Sequence, residues 1–343
     1  MLMTMMSSPL LLMCLLCAFL PQTSAEGLVE SERLEEYKAR NYTWPLEELV
    51  PNTPGWRRII DRRFQQIEAM EGGGQRYEGY MQTMSSALTV PNFTENGWGL
   101  TRVNNDLLEA LQKGIRDGLP NASHESRIEV IEGDEPPLFI NRPDLTKRVL
   151  KEVQPLCEAW SQTPLEEYRA YGFRLYQNNS RLFMHTDKTA THIVSAILHI
   201  DRSEDAEPWP IVIEDYQGNT NEVLLEPGDL LFYESSKCWH GRPKRFKGSW
   251  YTSVFIHYYP VGWDDHDSVA ETHYSIPPQW SADPTPTNVD RAVMVGTAMK
   301  EPDCPDEWCG LKDAVKWQGG GIEGEVLTTN HHKYDLKHWR DEL

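Results

Sequence analysis

Between residues 168 and 259 the chain reads as a succession of short strand-like segments separated by turn residues. YRAYGFRLYQ (168–177), SRLFMHTD (180–187), THIVSAILHI (191–200), PWPIVIED (208–215), NEVLL (221–225), DLLFYE (229–234) and GSWYTSVFIHYY (248–259) are rich in β-branched and aromatic residues. THIVSAILHI is almost continuously apolar, the pattern of a strand buried on both faces. Turns such as QGNT and Pro227-Gly228 divide the segments. Short strands at this spacing predict a double-sheet jelly roll or barrel.

Upstream the period changes. PGWRRIIDRRFQQIEAM (54–70) is a helix candidate ended by Gly72-Gly73-Gly74. In 142–160, Leu145, Val149, Leu150, Val153, Leu156 and Trp160 share one helical stripe, and Pro143 suits the first turn. Pro155 lies inside that run, so a kink or break is expected there. Beyond 262 the chain turns polar and proline-rich, as in PPQWSADPTPTN, and an irregular surface wrapping is expected. The expected fold is therefore α+β: a mainly helical region over 26–165 flanking a jelly roll over 166–262, then a polar tail over 263–343.

His185 and Asp187 form a His-x-Asp at a strand end, where alternate residues turn to the same side. His240 follows after 52 intervening residues that carry four strands, enough chain to circle a sandwich and return. Two histidines and one carboxylate on a single face, with positions left open, is the ligand set of non-haem Fe(II) oxygenases. A second His-x-Asp, His199 and Asp201, leads into the acidic loop RSEDAEPWP. Asp201 is expected to open that turn, with His199 in the core or supporting the ligands. His192 is read as a further supporting residue, and His266, His331, His332 and His338 as surface. GGGIEG (319–324) matches a dinucleotide fingerprint by letter, but no apolar strand precedes it and no helix follows.

These segments together, YGFRLYQNNSRLFMHTDKTATHIVSAILHID, WPIVIEDYQGNTNEVLLEPGDLLFYES and WHGRPKRFKGSWYTSVFIHYYP, resemble the 2-oxoglutarate- and Fe(II)-dependent oxygenases, in the prolyl 4-hydroxylase-like branch. The resemblance covers about 165–260. It implies a double-stranded β-helix in which His185, Asp187 and His240 bind Fe(II) and Tyr176 contacts 2-oxoglutarate. O₂ and ascorbate complete the implied set, and the cosubstrate is turned to succinate as an unactivated C–H is hydroxylated. One position departs from the family, which carries Lys or Arg about ten residues after the distal histidine. Ser249 and Trp250 stand there in this chain. The candidates to replace that cation are Arg181, which shares strand parity with His185, Lys247, Arg174 and Arg242. Phe183, Trp209, Phe232, Trp239, Trp250, Tyr251 and Phe255 are read mainly as core, although an aromatic groove would suit a proline-rich peptide in extended form.

The ends set the compartment. The first 25 residues carry no charge and contain the run LLLMCLLCAFL. That run is too short to span a bilayer and suits a signal peptide ending at Thr23-Ser24-Ala25. Arg340-Asp341-Glu342-Leu343 is a close variant of the retrieval signal of the endoplasmic reticulum. The expectation is a soluble lumenal protein without a membrane span, recognised by the retrieval receptor. Asn41, Asn92, Asn121 and Asn178 are acceptors for N-glycosylation in that compartment. The mature chain would keep Cys157, Cys238, Cys304 and Cys309, too few for a disulfide scaffold, with the last two close enough to pair. A net charge of −19 argues against nucleic acid and anionic membranes as partners.

The leading expectation is a lumenal 2-oxoglutarate oxygenase acting on proline or another side chain of secretory polypeptides. The alternatives are a lumenal jelly roll that binds metal, ligand or glycoprotein without turnover, and a cupin-like enzyme independent of 2-oxoglutarate.

Overall fold

The computed structural model describes residues 35, 51–126, 128–263, 276–284, 292–301, 306–310, 313–318, 325–327 and 333–335. Two compact units divide the chain at Asn41, and the description below concerns the second, Tyr42–Leu343.

Helix α1 spans Pro54–Glu68 and α2 spans Gly73–Met84. Thr53 caps α1 by accepting the Trp56 N–H at 3.0 Å, with Pro54 at the first helical position. The three glycines after α1 separate it from α2 and also begin α2. Strand β1 (Trp98–Arg102) precedes helix α3 (Asn105–Gly118), whose cap Asn104 accepts the Leu107 N–H at 2.7 Å. Three short strands follow, β2 (Ser123–His124), β3 (Ile131–Glu132) and β4 (Leu138–Ile140), and then helix α4 (Pro143–Ser161). Helix α4 runs through Pro155 without the expected break. Its stripe supplies the reason: Leu145, Val149, Val153, Cys157 and Trp160 are all buried. Each such side chain is worth about 1.5–3 kcal/mol, which offsets the roughly 3 kcal/mol cost of an interior proline.

Eight strands then form the jelly roll: β5 (Leu165–Gln177), β6 (Arg181–His185), β7 (Val194–Arg202), β8 (Ile211–Glu214), β9 (Thr220–Val223), β10 (Asp229–Tyr233), β11 (His240–Arg242) and β12 (Trp250–Pro260). They partition into antiparallel runs of neighbours, β10-β7-β12-β5 in one sheet and β6-β11-β8-β9 in the other. The chain therefore passes between the sheets repeatedly, as a jelly roll requires. Strand β7 shows why its sequence lacks alternation. Ala196, Leu198 and Ile200 pack with α3 and α4 in one apolar cluster, while Ile197 lines the interior between the sheets.

The sheets extend beyond 166–262. Strand β1 pairs with β10, β4 with β5, and β3 with β6. From the C-terminal side, β13 (Val293–Val295) and β14 (Ala298–Lys300) form a hairpin whose second strand pairs with β6. Helix α5 (Asp306–Cys309) and strands β15 (Glu325–Leu327) and β16 (Lys333–Asp335) follow, with β15 pairing to β1. The regions read as helical and as an irregular tail thus both contribute strands, each of five residues or fewer.

Asn92, Asn121 and Asn178 are exposed, and Asn41 lies outside the described residues, as do 1–25 and 336–343. Cys157 and Cys238 are buried free thiols, and Cys309 is disulfide-bonded. Among the described residues no helix is long and apolar enough to cross a membrane.

Candidate metal centre

Strands β6 and β11 are neighbours, and His185 lies directly opposite His240 across them, with ring centroids 4.3 Å apart. Each imidazole makes the same local contact: Nδ1 of His185 meets the Phe183 carbonyl at 2.8 Å, and Nδ1 of His240 meets the Cys238 carbonyl at 2.9 Å. A carbonyl only accepts, so both Nδ1 atoms carry the proton and both Nε2 atoms keep a lone pair for a ligand. Asp187 follows β6, its N–H donating to the Ser235 carbonyl at 2.8 Å. One ligand atom from each of His185, Asp187 and His240 lies within 4.8 Å of the others.

The electrostatics fit a cation. Burial pushes the Asp187 carboxyl up to about 7 and the His185 imidazole down to about 4. Burial and the adjacent His185 hold His240 well below its usual range. Among the described residues Oδ2 of Asp187 has no hydrogen-bond partner. A half-buried carboxylate with an orphaned oxygen, beside two neutral imidazoles with free lone pairs, is a donor set that a divalent metal would satisfy.

The group opens into a cavity of about 490 Å³, also lined by Tyr171, Arg174, Tyr176, Tyr233, Arg242, Phe255 and His257. Tyr176 lines the same cavity, and its hydroxyl is buried. Two of the four candidate cations, Arg181 and Lys247, are elsewhere. Arg181 pairs with Glu132 of β3 at 2.6 Å and does not line the cavity. The reason is a register shift between β6 and β11, where His240 faces His185 but Arg242 faces Leu182. Between these pairs two residues of β6, Phe183 and Met184, oppose the single Gly241 of β11, and that extra residue reverses the parity that places Arg181 inward. Gly241 sits at the shift, where an added Cβ would lie 2.8 Å from the Phe183 carbonyl oxygen, so the strands approach too closely for a side chain. Lys247 is exposed at 71% and pairs with Glu207 across 3.4 Å.

The other two candidates, Arg174 and Arg242, do line the cavity, with Arg169 at its exposed rim. Arg174 is neutralised by Glu125 at 2.7 Å. Arg242, 4% exposed, has no carboxylate partner among the described residues. It donates to the Trp209 carbonyl and, at 3.2 Å, to the Tyr251 hydroxyl, with its guanidinium 4.7 Å and 4.6 Å from those two rings. Tyr251 directly follows Ser249 and Trp250, where the expected basic residue is missing, and Arg242 brings a cation to it from β11. A buried guanidinium held by aromatics and neutral oxygens is unsatisfied in charge, and a carboxylate fits it.

His199 is buried against Tyr251, with ring centroids 4.1 Å apart, and with Asp201 stands outside the ligand group. His192 packs against His257 with ring centroids 4.0 Å apart and planes tilted by 50°. His257 is absent from the sequence reading, yet its Nδ1 lies 3.8 Å from Oδ2 of Asp187 and 2.8 Å from the Ser195 hydroxyl. Its alternation with Phe255 on β12 is the signal that would have found it.

No protein-family model matches the sequence. No curated protein matches it either. The chain is similar to a prolyl-4-hydroxylase of Pseudomonas putida at 18% identity and TM-score 0.39, over 52% of this chain and 98% of that one. It is similar to HygX of Streptomyces hygroscopicus, solved with nickel and 2-oxoglutarate, at 11% identity and TM-score 0.36, over 48% of this chain and 83% of that one. SnoK, a non-heme alpha-ketoglutarate-dependent carbocyclase of nogalamycin biosynthesis, is similar at 12% identity and TM-score 0.37, over 57% of this chain and 90% of that one.

Proposed function

We propose that this chain is a 2-oxoglutarate- and Fe(II)-dependent dioxygenase that hydroxylates a side chain, with peptidyl proline as the substrate, in polypeptides of the secretory pathway. The observation that carries the reading is one cavity holding both a His185–Asp187–His240 cluster and a buried arginine, Arg242, without a carboxylate partner among the described residues.

His185, Asp187 and His240 would hold the metal, and Arg242, Tyr251 and Tyr176 would receive the far carboxylate of 2-oxoglutarate. When bound, metal and cosubstrate supply the oxidising chemistry: one oxygen atom of O₂ enters the substrate C–H, the other enters succinate, and CO₂ leaves. The protein's part is orientation and exclusion of water. The Phe183 and Cys238 carbonyls fix both imidazole rings in one tautomer, and Ser235 hydrogen-bonds the Asp187 side chain. Ile197, Tyr171 and Phe255 line the cavity with apolar and aromatic surface, which lowers the local dielectric and suits a proline ring.

The reading of a jelly roll without turnover drew on the basic residue missing from β12, and Arg242 supplies a cation in its place. Lumenal placement is supported by the uncharged N-terminal apolar run, the Arg-Asp-Glu-Leu C-terminus and the exposed acceptors Asn92, Asn121 and Asn178. Ascorbate is included as the reductant that keeps such a metal ferrous.

The test is succinate formation by the purified chain with Fe(II), 2-oxoglutarate, ascorbate and proline-rich peptides, with His185→Ala alongside. Succinate that disappears in the variant, with a peptide gaining one oxygen, supports the proposal. An iron-loaded, folded protein that forms no succinate overturns it.

A further inference from the structure

The chain is strongly acidic, with 52 Asp and Glu against 33 Lys and Arg, yet its cavity is not. Arg169, Arg174, Lys188 and Arg242 line the cavity, and Asp187 is the one carboxylate among the lining residues. Most of these charges are committed. Arg174 is neutralised by Glu125. On the reading above, Asp187 serves the metal and Arg242 the cosubstrate; the doubly charged metal and the doubly charged 2-oxoglutarate then leave the interior neutral. Arg169 and Lys188 remain.

Both of these residues are exposed. Neither forms an ion pair within the described residues, whereas Arg181, Arg202, Lys244, Arg245 and Lys247 of the same domain each pair with a carboxylate. Arg169 lies opposite His257 across β5 and β12. Lys188 directly follows the ligand Asp187 in the sequence, and both cations act on the His192 imidazole. An aromatic path joins this rim to the metal ligands. The Arg169 guanidinium lies 5.8 Å from the Tyr168 ring, which is 41% exposed; Tyr168 lies 5.2 Å from His192, and His192 lies 4.0 Å from His257. Exposed tyrosine with unpaired cations is a recognition surface for an anionic, partly apolar chain.

We propose that this rim selects polypeptide segments bearing acidic side chains, so that the residue to be oxidised lies beside Asp or Glu in the substrate. The inference rests on the oxygenase reading for its substrate. It rests on the two unpaired cations for its charge.

The test uses fluorescein-labelled decapeptides of alternating Glu-Pro, Gln-Pro or Lys-Pro, capped at both ends, binding to the full chain loaded with Fe(II) and 2-oxoglutarate under argon. Two rim-exposed ion pairs predict Glu-Pro binding about tenfold tighter than Gln-Pro at low salt. The preference should shrink as the screening length falls from about 10 Å at 0.1 M salt to about 3 Å at 1 M. The double variant Arg169→Gln/Lys188→Gln should bind the two peptides equally. Arg169→Glu/Lys188→Glu should prefer Lys-Pro, a gain that unfolding cannot produce. Equal binding of Glu-Pro and Gln-Pro by the unaltered chain overturns the proposal, as does an unchanged preference in the variants. Equal tightness of Glu-Pro and an uncapped Gln-Pro peptide would overturn it in favour of terminal-carboxylate capture. If the charge preference holds while no peptide supports succinate formation, the acidic selectivity stands and the oxygenase reading falls.

Discussion

His185 and His240 face each other across paired strands, and each turns its Nδ1 to the carbonyl two residues before it. This repetition makes the pair a preorganised two-nitrogen clamp, because neither ring can flip without losing a buried hydrogen bond. Either substitution to Ala should lower affinity for Fe(II) or Mn(II) by more than about a hundredfold, since removing even a supporting partner costs ten- to a hundredfold. Isothermal titration of the folded variants with Mn(II) would check this, and unchanged affinity in both would remove the cluster from consideration.

Metal uptake should follow pH through Asp187. With its carboxyl pushed up to about 7 by burial and His185 already neutral above about 4, one proton has to leave when metal binds at pH 5–6. Affinity should therefore fall about tenfold per pH unit below 7 and level off above it. In the metal-free protein the same shift makes stability decline as pH rises from the usual carboxylate range toward 7, because the folded state holds the proton more tightly than the unfolded chain. Asp187→Asn should abolish that decline in denaturant titrations.

Arg242 provides a graded test of the proposed cosubstrate subsite. Arg242→Ala should weaken 2-oxoglutarate binding to the Mn(II)-loaded chain by about a hundredfold, the loss of a buried charged partner at roughly 2–3 kcal/mol. Tyr251→Phe, which removes one neutral hydrogen bond, should cost about fivefold. Arg181→Ala and Lys247→Ala should leave binding unchanged. A larger loss from Arg181 than from Arg242 would refute the assignment.

The packing of α4 on the larger sheet is separable from the chemistry. Trp160 stacks on Phe232 of β10 with centroids 5.4 Å apart and planes 15° from parallel. Trp160→Ala should destabilise the protein by about 3–5 kcal/mol in urea unfolding, while Mn(II) affinity of the folded fraction stays within about twofold.

For the compartment, removal of residues 340–343 should shift the protein from secretory-pathway extracts into the culture medium. Glycosidase treatment should reduce the mass of the intact chain. Retention inside the cell without the last four residues would count against retrieval through that end.

The jelly-roll strands were legible because each carries its own signal: apolar runs in β7 and β8, and turn residues such as Gly228, whose φ of +95° few other residues adopt. The His185–Asp187–His240 cluster was legible through spacing, since His-x-Asp and a distant histidine need only the strand order to meet. Arg181 was misplaced because parity counting assumes an unbroken ladder, and the extra residue between Leu182 and His185 leaves no mark on periodicity. Strands β1, β3 and β14 were missed for a different reason. At five, two and three residues they have no period of their own, and they are strands only because β10 and β6 offer edges to pair with.

Strand β14 sets Ala298 opposite His185 and Met299 opposite Met184, so a ligand-bearing strand is sandwiched between residues more than fifty positions away on one side and more than a hundred on the other. Heritable change in the tail is therefore change beside the proposed metal site. A gene fragment cut to 166–262 would encode every proposed ligand and yet release a sticky, unpaired margin along β6, inviting aggregation. The reactive centre is not a portable cassette; it would have to be inherited, transplanted or engineered together with the sequences on both sides of it.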